Sequence, residues 1–417
     1  DYDDPYPTDS TNTPVPGITL QGVIASDEIW SGLVVLIDTV SVDAGAHLTI
    51  VPGTYVRLPG GSSIQIGGTA TIEGTASQPI YFDNKDAQPW TSLVFSNSTS
   101  NSLIRYAHIS GGDTCVTIDH ASPVIESSVI TGCARVAIEN SQYSSAILRN
   151  NQLSGNQSAI TIQDASPRIE NNLIINNAGT GVALSGYEGT PQLRYNTLDY
   201  NSGAGIEFAP DYNGAAELEA NLITRNGIGW SGGESALSAY NNVWGNGADY
   251  LNGAPEDLSL SGDPYYLDPM PITGDRHLAI DSPATTAGPN GDELGAYGNG
   301  GAPASALYSP DFNTTPTLSG VVTSHERWSG DIELSDAVSV EWPGRLVIDP
   351  GTVIRMPAGA YLHIGGGGLL EAVGTADAPI TFEASGETAW GGLAFTSQGA
   401  NSLIRYAHIS GGDTCVT

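Results

Sequence analysis

Between residues 101 and 250 the apolar positions follow two nested rhythms. Short alternations of apolar and polar residues recur as "CVTI" at 115–118, "RVAI" at 135–138, "AITI" at 159–162, "GVAL" at 181–184 and "GIEF" at 205–208. Such alternation predicts strands with one buried face. Around it runs the pattern L/I-x-x-N-x-L/I-x-x-N, carried by Leu148, Asn151, Leu153 and Asn156, and by Ile169, Asn172, Ile174 and Asn177. Leu193, Asn196, Leu198 and Asn201 repeat it, as do Leu218, Asn221, Ile223 and Asn226, and Asn241, Val243 and Asn246 continue it. From Ile104 to Leu218 the leading apolar positions are 21 to 25 residues apart.

A coil of that length cannot bury its own apolar face, but a stack of coils can, at ~4.8 Å per rung with every strand in parallel pairing. The expected fold is all-β, a right-handed parallel β-helix. Asn151, Asn172, Asn196, Asn221 and Asn241 are expected to form an inward amide ladder at one corner, satisfying turn groups that burial would leave unpaired. A leucine-rich horseshoe needs a longer convex arm per repeat and an L-x-x-L-x-L start, neither of which is present. Aligning Ile118, Ile138, Ile162, Leu184 and Phe208 as one inward column leaves Thr117, Ala137, Thr161, Ala183 and Glu207 facing outward.

A longer period encloses this one. "NSLIRYAHISGGDTCVT" at 101–117 returns verbatim at 401–417, and "VPGTYVRLPGGSSIQIGG" at 51–68 is echoed by "DPGTVIRMPAGAYLHIGG" at 349–366. Residues 318–417 therefore read as a second copy of 20–117, and the chain as part of a longer tandem array. The expected organisation is a linker at 1–17, a first unit at 18–300, a linker at 301–317 and the start of a second unit at 318–417. Within the first unit, 18–100 holds the entry cap and first coils, 101–250 the regular coils, and 251–300 a closing coil over the end. At ~4.8 Å per rung one unit is about 50 Å long.

The chain resembles the bacterial right-handed β-helix repeat proteins of the cell surface. The entry segment "WSGLVVLIDTVSVDAGAHLTIVPGTYVRL", with its Trp, paired V-x-V strands and P-G-T turn, is similar to that family's opening coil. "LSGDPYYLDPMPITGDRHLAIDSPATTAGPNGDELGAYG" is similar to its closing coil. The resemblance implies the fold but no single activity, because the family includes polysaccharide lyases and hydrolases, adhesins and structural surface proteins.

Charge narrows the partners. The 417 residues carry 45 acidic and 13 basic side chains, a formal net charge of −32. Such a surface repels nucleic acid and anionic lipid and suits a hydrated, extracellular or cell-surface setting. No apolar run approaches the ~20 residues of a membrane-spanning helix.

Candidate chemistry is sparse. Asp119 and Glu139 follow aligned inward Ile residues, so this register stacks them ~5 Å apart, near the separation of a retaining glycosidase pair. With Asp164 they also suggest a calcium site; a solvated acidic edge is the plain alternative. Cys115 and Cys133 lie almost one coil apart, within reach of a disulfide if the corner brings their Cα atoms to ~5.5 Å, and otherwise read as two buried thiols. Cys415 is the copy of Cys115. Arg135, Arg149, Arg168, Arg194 and Arg225 read as spread over different corners. Two functions stand: a non-enzymatic tandem rod forming a fibre, sheath or adhesin stalk through self-association of neighbouring units, or a β-helix that binds or cleaves extracellular polysaccharide.

Overall fold

Each coil of the computed structural model turns three corners. In the coil from 124 to 141, strand Val124–Glu126 lies on a first face, Val129–Thr131 on a second and Val136–Ser141 on a third. Every pairing between successive coils is parallel, and the chain is a right-handed parallel β-helix. The structure describes residues 18–96, 102–233, 236–252, 260–266, 276–278, 282–304, 315–323, 325–341, 345–365, 369–375, 378–395 and 402–417. The linker expected at 1–17, and 305–314 of the second linker, lie outside these. The chain divides into two compact units, Asp1–Ala306 and Leu307–Thr417.

In the first unit the first face is a sheet of ten described strands. The second and third faces join into one twenty-stranded sheet because the long strand Leu33–Val42 pairs with Tyr55–Leu58 on one and Ser63–Ile66 on the other. The second unit repeats the plan with three four-stranded sheets. Its anchors repeat too. Trp90 Nε1 donates to Ser110 O and Trp390 Nε1 to Ser410 O, each at 2.8 Å. Trp30 and Trp328 donate to Glu28 and Glu326, also at 2.8 Å. All four indoles are fully buried.

The Asn residues make two ladders. The corner between first and second faces is turned by a residue with positive φ, such as Asn150 (54°), Asn171 (56°) or Tyr195 (53°), followed by the inward Asn. Asn172 shows the pattern. Its Oδ1 accepts from Asn151 N (2.9 Å) and Asn151 Nδ2 (3.0 Å), and its Nδ2 donates to Leu148 O (2.8 Å) and Asn196 Oδ1 (3.0 Å). The same bonds link Asn151, Asn172, Asn196, Asn221 and Asn241. Asn156, Asn177, Asn201, Asn226 and Asn246 form the second ladder at the next corner. The backbones beside that second ladder approach closely. A Cβ on Gly227 would sit 2.3 Å from Ser202 O, so glycine is required there for stacking.

One register differs from the sequence expectation. Val116 pairs with Ile138 and Ile118 with Asn140, so the inward column reads Phe95, Ile118, Asn140, Ile162, Leu184, Phe208. Matching Ile118 to Ile138 overlooked that a polar residue occupies an inward position in this coil. Asn140 is fully buried, and neither of its amide atoms has a hydrogen-bond partner. Replacing it by an apolar residue removes that desolvation penalty. Asn140→Ile is expected to stabilise the unit by about 1–3 kcal/mol, read as an upward shift of the urea midpoint. A lower midpoint would mean that the amide is satisfied.

The segment expected to close the end lies elsewhere. Leu260 bridges to Asn242 below the last rung, but the described residues from 262 to 304 run back up the outside of the second face as a strap. They cover outward residues that are consequently buried, among them Leu222, which packs with Leu278, Ala284 and Leu294. The outward positions of the second face mix apolar Leu173 and Leu222 with polar Thr197, Asp199 and Thr224, and the strap covers part of both kinds.

Candidate functional surfaces

The carboxylates singled out in the sequence are not brought together. With the register above, Asp119 pairs with Ser141 and Glu139 with Thr117. Asp119 Oδ1 lies 2.7 Å from His120 Nδ1, whereas Glu139 Oε2 is 3.0 Å from an Arg135 terminal nitrogen. Asp164 turns its Oδ1 to the backbone N–H groups of Tyr187 (2.7 Å) and Glu188 (3.1 Å), which fixes a turn. Among the described residues no group of three or more His, Cys, Asp or Glu side chains is placed to hold a metal ion. The calcium expectation for Asp119, Glu139 and Asp164 therefore does not fit the geometry. The reason is the same two-residue register slip: it turned a diagonal pair into a stacked one.

The outward column of the third face consequently reads Thr117, Glu139, Thr161, Ala183, Glu207, with Glu139 where Ala137 was expected. Ala137 is buried. Lower on this face a shallow cleft of about 410 Å³ is lined by Thr180, Ser202, Ala204, Glu207, Ile228 and Ser231. Glu207 there accepts a hydrogen bond from Thr180 at 2.9 Å.

Cys115 and Cys133 form a disulfide, with Cα atoms 5.7 Å apart. The backbone bonds from Ala134 N to Gly112 O and from Arg135 N to Asp113 O hold the two coils together at this corner, which brings the sulfurs within bonding distance. Cys415, in the second unit, is free.

The arginines are more ordered than the sequence suggested. One outward column of the first face alternates Glu73, Arg105, Glu126, Arg149, Glu170, Arg194 and Glu219 on successive rungs. Only Arg135, Arg168 and Arg225, of the five named, fall outside it. Arg105 bridges Glu73 at 2.9 Å and also binds Glu126, which Arg149 binds from the other side. The alternation was present in the sequence one residue after the aligned Ile104, Ile125, Leu148, Ile169, Leu193 and Leu218, a register the structure shares. Burial pushes the Glu126 carboxyl upward, yet hydrogen bonds from Arg149 and Arg105 outweigh it and hold its pKa below the usual value. A carboxyl with a depressed folded pKa contributes stability above its unfolded pKa, near ~4.3, and loses it as pH falls through the folded value. Urea midpoints are thus expected to fall between pH 5 and pH 3, and Glu126→Gln to flatten that part of the fall. A fall of the same size in the variant would place the acid sensitivity elsewhere.

On the second face the strap is fixed by a buried ionic node. Asp199 is fully buried, and its Oδ2 accepts from Arg225 at 2.7 Å and from Arg276 Nε, on the strap, at 2.6 Å. Its Oδ1 accepts from Arg225 Nε (2.8 Å) and Thr224 Oγ1 (2.7 Å). The Arg225 guanidinium lies 4.4 Å from the ring centre of Tyr200 and 4.8 Å from that of Tyr266. The sequence reading missed this node, since Asp199 and Arg276 lie 77 residues apart and only the strap's return joins them. Higher on the same face, outward Tyr55 stacks on Tyr81 at 4.5 Å, and Tyr81 packs on His108 at 5.0 Å. Burial lowers the His108 pKa.

Among the described residues no helix is long and apolar enough to cross a membrane. Residues 92–246 match the family model described as right handed beta helix region. No curated protein matches the sequence. Two solved structures of the PL6 family alginate lyase AlyGC, one of them an Arg-to-Ala mutant, are each 11% identical, and each alignment covers 94% of this chain and 73% of the lyase. Their TM-scores are 0.30 for the mutant and 0.25 for the other, and no residue role is carried over from them.

Proposed function

We propose that this right-handed β-helix protein is a non-enzymatic structural element of the cell surface, a tandem rod serving as a stalk, sheath or fibre. The observation that carries the reading is duplication of a whole β-helix opening in one chain. Trp30 and Trp90 in the first unit and Trp328 and Trp390 in the second are buried alike and bonded alike. Repeating a rod extends reach, whereas repeating a catalytic site adds little that a second molecule would not. A structural disulfide and a net charge of −32 support an extracellular setting. In this reading the partners are neighbouring units of the same kind.

Polysaccharide binding is the second reading. It is favoured by the shallow cleft on the third face, where Thr180, Ser202, Glu207 and Ser231 present groups that could bond sugar hydroxyls. Immunogold electron microscopy of intact cells, with antibody against the purified chain, tests the first reading. Labelled surface fibres or a continuous coat are expected. Label confined to the cell interior, or only to soluble secreted material, would overturn it.

A further inference from the structure

The strap returns the chain from the foot of the stack to mid-height, and this fixes the order in which tension reaches its contacts. Leu260 N bonds to Asn241 O near the last rung, Arg276 reaches Asp199, Asn171 Nδ2 donates to Gly298 O, and Ala302 N and Ala304 N bond to Asn150. The strap's described contacts thus run from the last rung up to Asn150, where the last of them, at Ala304, is made. We infer that the strap is a force-released tether: under tension along the chain it peels from the second face while the three-faced stack stays wound. This rests on the reading of the protein as a tandem tether, and it adds extensibility to that role.

Three features carry it. Tension applied beyond Ala304 first loads the two bonds to Asn150, then those to Asn171, so contacts break one at a time from the exit. The first stretch to yield, "GAYGNGGAPA" at 295–304, has Tyr297 as its one large side chain and so buries little apolar surface. Deeper in lies the Asp199–Arg276 pair, both groups almost wholly buried, which resists release until the lead has been drawn out. The strap thus has a soft lead and a lock. The stack has no such graded path, because each of its inner coils is bonded to neighbours above and below on three faces, and those from 151 to 246 also through two Asn ladders. At the other end, strand Ile18–Ile24 also takes the load, but peeling it frees only 7 residues before the next rung is met.

Released length separates these events. Freeing the chain from about residue 252 to 304 lengthens it by roughly 180 Å at ~3.5 Å per residue. The second unit, about twice as long, gives a correspondingly longer step. The test is single-molecule force spectroscopy on the whole chain, pulled through its two termini. An early step of roughly 180 Å is expected before the long steps of the coils. In Arg276→Gln the force of that step should fall at least twofold. Hydrogen exchange on both proteins at rest, with the rung amides equally protected, establishes that the variant is folded. Absence of the early step, or a step whose force is unchanged in folded Arg276→Gln, would overturn the inference. Either result leaves the cell-surface reading to its own test by microscopy.

Discussion

Asn172→Leu is expected to lower the stability of the first unit by roughly 3–5 kcal/mol. The leucine fits the volume but makes none of the bonds. Asn151 N loses its acceptor and Leu148 O a donor, while Asn151 Nδ2 keeps only Ile125 O and Asn196 Oδ1 keeps only the backbone N–H of residue 172. These groups are buried in the corner, where water cannot replace the missing partner, and each unsatisfied buried group costs about 1–3 kcal/mol. Partial relaxation of two neighbouring rungs keeps the total below the simple sum. The check is urea unfolding followed by circular dichroism. An unchanged midpoint would mean that the ladder contributes no net stability.

Asp199→Ala is expected to cost about 3–5 kcal/mol, because it takes away the carboxylate shared by two largely buried guanidiniums while leaving both in place. Its effect differs in kind from that of Asn172→Leu. The substitution strikes the contact between strap and second face, so backbone amides of the strap should lose hydrogen-exchange protection before those of the coils. Uniform loss of protection across the unit would show that strap and stack unfold as one body. Equal protection in variant and parent would show that the node carries no weight.

Much of this architecture was legible because a solenoid repeats its local rules. Alternation at 159–162 and Asn at 151, 156, 172 and 177 gave the faces and corners, since each inward position is filled by the same residue type one rung later. What failed was register in a single coil. Asn140 occupies an inward position that its neighbours fill with Ile118 and Ile162, so apolar matching slid the alignment by two residues. That slide created the apparent Asp119–Glu139 stack, and correcting it dissolves the pair. The column of Arg105, Arg149 and Arg194 between glutamates did not depend on that correction: it lies one residue after Ile104, Leu148 and Leu193, which the sequence aligned as the structure does, and the alternation of charge was left unread. The strap escaped notice for a different reason. It has no period, and its contacts, from Arg276 to Asp199 or from Ala302 to Asn150, join residues 77 and 152 positions apart. No local pattern specifies such pairings.

The claim that this surface is structural and not catalytic is tested most directly by turnover. The purified chain is incubated with a panel of neutral and uronate polysaccharides, and product is followed as new reducing ends and as the ultraviolet absorbance of unsaturated sugars. No product above that of the heat-denatured chain is expected with any polymer. Sustained release that disappears in Asp119→Asn or Glu139→Gln would contradict the account and make the third face an active site.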